Sequence, residues 1–232
     1  MNILDRIQWH EGMLLSPQHF QTESSRVDQL IAFHSMGRHC DAWGIKALEI
    51  DSAMLAGGKF RIMTLEAFMP DGTALKWNAK LESSSLEINL EDLSDNVKNS
   101  ETIDIYIGLP MGTRKNKEGN FRFEEKVSDP VVDDFQDGEP IDIPRLTYNL
   151  RIFVNERPPG SYSSFKLCVL KNVDGVIKVG DYVPPLIDIG VSKFLKEELK
   201  HLSEELRSKA TFCARQVDSQ KGDFSDPDQV ST

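Results

Sequence analysis

Residues 102–109 read TIDIYIGL. Ile103, Ile105, Ile107 and Leu109 fall on one side of an extended chain, and Thr102, Asp104 and Tyr106 on the other. Successive side chains of a strand point to opposite faces, so this alternation describes a strand with one buried and one wet face. LTYNLRIFV (146–154) repeats it with Leu146, Tyr148, Leu150, Ile152 and Val154, and SLEINL (85–90) does so in miniature with Leu86, Ile88 and Leu90. Turn signals separate such runs from about Ile45 to Val179: Gly57-Gly58, Pro70-Asp71-Gly72, Glu118-Gly119-Asn120 and Asn172-Val173-Asp174-Gly175. The last lies between FKLCVL (165–170) and VIKV (176–179) and predicts a hairpin, because Asp-Gly accepts the positive φ of a tight turn. Strands at this spacing, with no helices between them, predict a mainly β fold, an antiparallel β-sandwich.

Both flanks change period. Ser16-Pro17 is a helix start, since serine can cap free backbone N–H groups and proline at the first helical position gives up nothing. Phe20, Ser24, Val27, Leu30, Ile31 and His34 then recur at steps of three and four, predicting an N-terminal amphipathic helix over residues 17–37. At the other end, YVPPLIDIG (182–190) stops the sheet, because consecutive prolines cannot feed a hydrogen-bonded ladder. Leu195, Leu199, Leu202, Leu206 and Cys213 follow at heptad-like intervals, with Lys209 at the intervening core position and charged residues on the outer faces. A lone helix of this length is marginal in water, so the stripe calls for a partner, either the helix of residues 17–37 or another copy of the chain. The closing DSQKGDFSDPDQVST (218–232) has little apolar content and reads as a linker or a frayed end. The expected organisation is a sandwich domain over residues 1–185 that includes the first helix, an association helix over 186–217, and the segment 218–232.

Composition narrows the function classes. At 232 residues, one main domain with an appendage is the prior, and a chain of this size buries roughly 70% of its unfolded surface. A net charge of −10 argues against nucleic acid or an anionic membrane as the main partner. MNILDRIQWH lacks the features of a signal peptide, and no apolar run approaches the ~20 residues that span a bilayer. Cys40, Cys168 and Cys213 are odd in number and widely spaced, the pattern of reduced thiols.

The stretch WHEGMLLSPQHFQ (9–21) is dense in groups that carry chemistry, yet none of them makes a recognisable site. Glu11 as an acid or base would need a second titratable group held within reach, and the sequence supplies none. His34 and His39 are five apart and His39 adjoins Cys40, neither being a zinc spacing. The acidic run from Asp129 to Asp142 fails as a calcium loop, because counting from Asp133 puts Phe135 at the third place and Pro144 at the twelfth. No Walker loop, Rossmann fingerprint or Gly-x-Ser-x-Gly elbow occurs. The expectation is a protein without catalytic residues, metal or cofactor.

Four stretches carry a resemblance. WHEGMLLSPQHFQ is similar to the N-terminal signature of the TssK family, the baseplate subunit of bacterial type VI secretion systems, in which a tryptophan and an acidic-Gly-Met step precede Pro-Gln-His-Phe-Gln. WGIKALEID (43–51), MPDGT (69–73) and DYVPPLIDIG (181–190) resemble the family in the same order, over about residues 7–217. The resemblance implies a shoulder domain like that of siphophage receptor-binding proteins, a helical neck and a C-terminal head, assembled as a homotrimer. It implies that the shoulder docks on the wedge proteins TssF and TssG. TssL and TssM contacts are expected only with the head, before which this chain ends. The implied location is cytoplasmic, peripheral to the inner membrane through the apparatus, with no direct membrane insertion and no nucleic acid. Trp9, Met13, Leu14 and Phe20 are the candidate docking or packing residues, with His10 and His19 as hydrogen-bonded structural groups. Leu195, Leu199, Leu202, Leu206 and Cys213 are the candidates for neck association. The alternative is a phage-type receptor-binding or tail adaptor protein, which shares the sandwich and neck and differs by binding saccharide.

Overall fold

A computed structural model describes residues 3–38, 41–82, 84–93, 100–112, 115–133, 135, 138–173 and 176–223, with the backbone alone for Arg38 and residues 219–223. Helix α1 (Pro17–Arg38) precedes strand β1 (Gly44–Ile50), a short helix α2 (Ser52–Ala56), and strands β2 (Lys59–Phe68), β3 (Ala74–Asn78) and β4 (Glu87–Asn89). Then come β5 (Thr102–Pro110), β6 (Phe123–Lys126), β7 (Arg145–Tyr148), β8 (Arg151–Val154), β9 (Tyr162–Val173), β10 (Val176–Val179) and helix α3 (Lys193–Asp223). The chain divides into two compact units, Met1–Val191 and Ser192–Thr232.

Alternation does build the sandwich. One sheet has the order β1-β2-β3, with β4 also paired to β2, and the other has the order β10-β9-β5-β8. Every pairing between these strands is antiparallel. Phe60, Ile62 and Leu65 of β2 and Ile105, Ile107 and Leu109 of β5 are fully buried in one core with Leu167 and Leu170 of β9. Burial of one such side chain contributes about 1.5–3 kcal/mol. The adjacent pair Leu167-Cys168 is buried because a bulge shifts the β5–β9 register between Ile105 and Tyr106, leaving Leu167 as the extra residue. One extra residue reverses the face of everything beyond it.

The run LTYNLRIFV is not one strand. β7 pairs with β6 in a separate ribbon, whereas β8 pairs with β5 in the sandwich. The break lies at Asn149, a buried polar residue whose N–H donates to Arg122 O and whose Nδ2 donates to Phe121 O. Those two bonds turn the chain from one sheet to the other, so Leu146, expected inside, is exposed.

YVPPLIDIG does leave the ladder, but it is tied to β1. Ile45 N–H donates to Pro185 O at 2.8 Å and Ile187 N–H donates to Ile45 O at 2.9 Å, forming a parallel bridge between Ile45 and Leu186. Gly44, at φ +134°, makes the approach possible, since a Cβ there would lie 2.6 Å from the Pro185 carbonyl. Two of the stretches that carry the family resemblance thus meet as one clamp. Within the acidic run, Val131 and Ile141 form an isolated antiparallel bridge. Asp134 and Asp137 of that run, the hairpin tip at Asp174-Gly175, His39, Cys40 and residues 224–232 lie outside the described residues.

Helix α1 differs most from expectation. Phe20, Val27 and Ile31 of its apolar stripe are exposed, and Ala32 is its buried residue. The helix rests on the turn after β2, where an added Cβ on Gly72 would stand 2.7 Å from the Ala32 Cβ. So close a contact through two small residues sets the helix down on its Ala32 side and leaves the larger apolar groups outside.

Candidate docking surface

The opening segment is fixed to α1 by local polar bonds. Ser16 caps the helix reciprocally: its N–H donates to His19 Nδ1 at 3.1 Å, its Oγ lies 2.9 Å from the same atom, and its carbonyl accepts from His19 N–H. His19 occupies the third helical position, where a glutamate completes the usual capping box. Trp9 packs against the His19 ring with centroids 6.0 Å apart. His10 Nδ1 donates to Glu11 O, and Gly12, at φ +77°, turns the chain so that Met13 N–H reaches His10 O. Farther back, Leu4 N–H donates to Gln29 Oε1 at 2.8 Å. His10 and His19 are therefore engaged with backbone and capping groups, Glu11 taking part through its carbonyl alone.

These bonds hold apolar side chains in solvent. Trp9 is 50% exposed, Leu14 89% and Phe20 57%, while Met13 is half-buried. Leu15 adds to the exposed set ahead of the helix, and Val27 and Ile31 extend it along the Phe20 side of α1, with Phe33 exposed on the opposite side. Scattered exposed leucines are ordinary, but an apolar side shared by Phe20, Val27 and Ile31 makes α1 a candidate interaction surface.

Beneath α1 lies a cavity of about 370 Å³, lined by Ser25, Asp28 and Ala32 of the helix, the Asp71–Thr73 turn, Arg122, Phe123 and Tyr148. Its floor is a polar network. Arg122 donates to Pro110 O at 2.9 Å, to Asp71 Oδ2 at 3.1 Å and to Thr73 Oγ1, and its guanidinium lies 5.7 Å from the Tyr148 ring centroid. Asp71 Oδ1 accepts from Thr73 N–H, and Asp71 N–H donates to the buried Ser163 hydroxyl. Burial, and then the Asp28 charge, push the Tyr148 phenol above its ordinary value, with Arg122 opposing them. The Pro-Asp-Gly turn was legible in MPDGT, but Arg122 and Tyr148 reach it across ~50–75 residues of sequence with no local signal.

On α3, Ser192 Oγ accepts from Leu195 N–H at the helix start. Leu199, Leu202 and Leu206 are 46%, 50% and 58% exposed, Cys213 is exposed and Leu195 is half-buried. Val217, also exposed, falls on the same side as Leu199 on a straight helix. Among the described residues no group of three or more His, Cys, Asp or Glu side chains could hold a metal ion, and no helix is long and apolar enough to cross a membrane.

The first unit is thus an antiparallel sandwich that carries exposed apolar side chains on α1. The chain belongs to the family described as Bacterial Type VI secretion, VC_A0110, EvfL, ImpJ, VasE, whose model matches residues 19–232. It is 28% identical over 228 residues to the type VI secretion system baseplate component TssK1 of Pseudomonas aeruginosa. That alignment covers 92% of this chain and 49% of the relative, so the chain spans about half the relative's length. In fold it is similar to a chain of a TssK–TssF–TssG baseplate subcomplex solved by cryo-electron microscopy, with TM-score 0.75 and 22% identity over 90% of this chain and 70% of that one. A crystal structure of TssK gives TM-score 0.77 and 17% identity over 92% of this chain and 51% of that one. A type VI baseplate complex gives 0.70 and 23% over 100% and 72%.

Proposed function

We propose that this chain is a docking and assembly part of a type VI secretion baseplate, binding TssF and TssG wedge proteins through the opening segment and α1. The observation that carries the reading is the exposed apolar set from Trp9 to Ile31, held in place by the Ser16–His19 cap beside a core that needs no further cover. The similarity to a chain of a TssK–TssF–TssG subcomplex supports wedge proteins as the partner. On α3, Leu195, Leu199, Leu202, Leu206 and Cys213 join three copies through a neck. Three shoulders on one neck convert weak single contacts into avid ones through a raised effective concentration. The assembly stands on the cytoplasmic side of the inner membrane, and contact with TssL and TssM belongs to the part of the longer relative that this chain does not span.

Co-expression of the chain with TssF and TssG from the same genome, followed by the mass of the purified complex, tests the reading. The expected result is capture with three copies of this chain per docking site, and loss of capture in Trp9→Ala/Phe20→Ala while the thermal transition stays in place. A folded chain that captures neither wedge protein would overturn it.

A further inference from the structure

We propose that the cavity between α1 and the turn after β2 is a socket for an arginine side chain carried on an apolar loop of the docking partner. The proposal rests on the reading of α1 as a docking surface and adds the chemistry of what enters it. The cavity, about 370 Å³, is at the small end of the range for ligand sites, a size that suits one long side chain. Its two carboxylates are not equivalent. Asp71 is committed to Arg122 at 3.1 Å, and Arg122 is itself tied down by Pro110 O. Asp28, one turn before Ala32 on the exposed helix, has no ion-pair partner among the described residues. The lining therefore carries two negative charges against one positive, and an incoming cation would restore the balance while an anion would face both carboxylates.

Arginine fits better than lysine for geometric reasons. Its planar fork can bond the two Asp28 oxygens together, which the point charge of a lysine ammonium cannot do. The mouth is bordered by Ile31, exposed on α1, which suits an apolar loop around a charged centre, the arrangement common at interface hot spots. The depth is fixed by the Ala32–Gly72 contact. The Ala32 methyl therefore reports on anything that enters.

The test uses the full chain labelled with ¹³C at alanine methyls and titrated with acetyl-Leu-Arg-Leu-amide, in parallel with its lysine and norleucine counterparts. A saturable shift of the Ala32 methyl is expected with the arginine peptide, weaker with lysine and weakest with norleucine. Asp28→Asn should weaken the arginine response at least about tenfold with the thermal transition unchanged, as loss of one partner of a desolvated charge pair does. An unmoved Ala32 methyl, or a norleucine response equal to that of arginine, would overturn the socket. A second arm measures capture of purified TssF–TssG by the wild type, by Asp28→Lys, and by Glu125→Lys as a charge control elsewhere. Loss in Asp28→Lys alone supports the socket as part of the wedge contact. Peptide binding without wedge capture keeps the socket and overturns the partner reading, whereas equal capture by all three proteins overturns the socket's place in the interface.

Discussion

Ile103, Ile105, Ile107 and Leu109 of β5 are buried in the sandwich, whereas Leu199, Leu202 and Leu206 of α3 are about half exposed. Both sets are regular apolar stripes in sequence, one of period two and the other of period three to four. The difference lies in what each stripe faces. A strand stripe is covered by its own chain, because the second sheet of the sandwich closes over it. The helix stripes of α1 and α3 find no such layer among the described residues of their own units. The sandwich is thus the self-sufficient part of the molecule, and the helix stripes are the part that the proposed function assigns to partners.

The cysteines give the widest test of that division. Burial pushes the Cys168 thiol up to about 12, so at pH 8 about one molecule in ten thousand carries the reactive thiolate there. Cys213 is exposed on α3. Maleimide labelling read by mass spectrometry at low protein concentration should modify Cys213 more than about a hundredfold faster than Cys168. Raising the protein concentration should slow Cys213 alone if α3 self-associates through its heptad stripe. Comparable rates at the two sites would remove the distinction between a closed sandwich and an open helix.

Substitution tests the same contrast in stability. Ile105→Ala should cost about 2–5 kcal/mol in chemical denaturation, since it leaves a cavity where the packing is complete. Leu202→Ala, measured on dilute monomer, should cost less than about 1 kcal/mol, because the side chain is half exposed there. Equal costs would mean that α3 is already packed within its own chain. Next in size is Gly44→Ala, where the new Cβ would strike the Pro185 carbonyl and the backbone sits at a φ that side chains rarely adopt. A loss on the order of 1–3 kcal/mol is expected, together with earlier hydrogen exchange at the Ile45 and Ile187 amides. Unchanged exchange at those amides would show that the clamp does not depend on the glycine.

Much of the fold was legible because alternation is a local signal. TIDIYIGL could be read as one strand from its own residues, and the break at Pro184-Pro185 from the chemistry of proline. What escaped was set by distant partners. Asn149 splits LTYNLRIFV between two sheets through bonds to Phe121 and Arg122, and nothing beside Asn149 announces them. The seating of α1 was not legible, because its periodicity locates an apolar stripe without saying what covers it. Gly72, forty residues away, places Ala32 rather than Ile31 against the fold. The socket floor was illegible for the same reason, since Arg122 earns its role through Asp71 and Thr73 on another element.

The smallest effect is expected where the sandwich meets water. On the β2–β4 pair, Lys59 Nζ lies 2.7 Å from Glu87 Oε1 with both side chains partly exposed. The hydrogen bond from Lys59 holds the Glu87 carboxyl below its ordinary value of 4.5, burial opposing it. A carboxyl whose value is lowered on folding stabilises the fold above its unfolded value, and that contribution disappears as pH falls through the folded value. Glu87→Gln should therefore cost roughly 0.2–1 kcal/mol near neutrality, the usual range for a partly exposed ion pair. The gap to the wild type should stay constant down to the ordinary glutamate range and close below pH 4.5. Denaturation at a series of pH values, with Lys59→Met in a double-mutant cycle, measures both features. A gap that widens on acidification would reverse the assigned sign, and a coupling well beyond 1 kcal/mol would place this pair with the buried core and not with the surface.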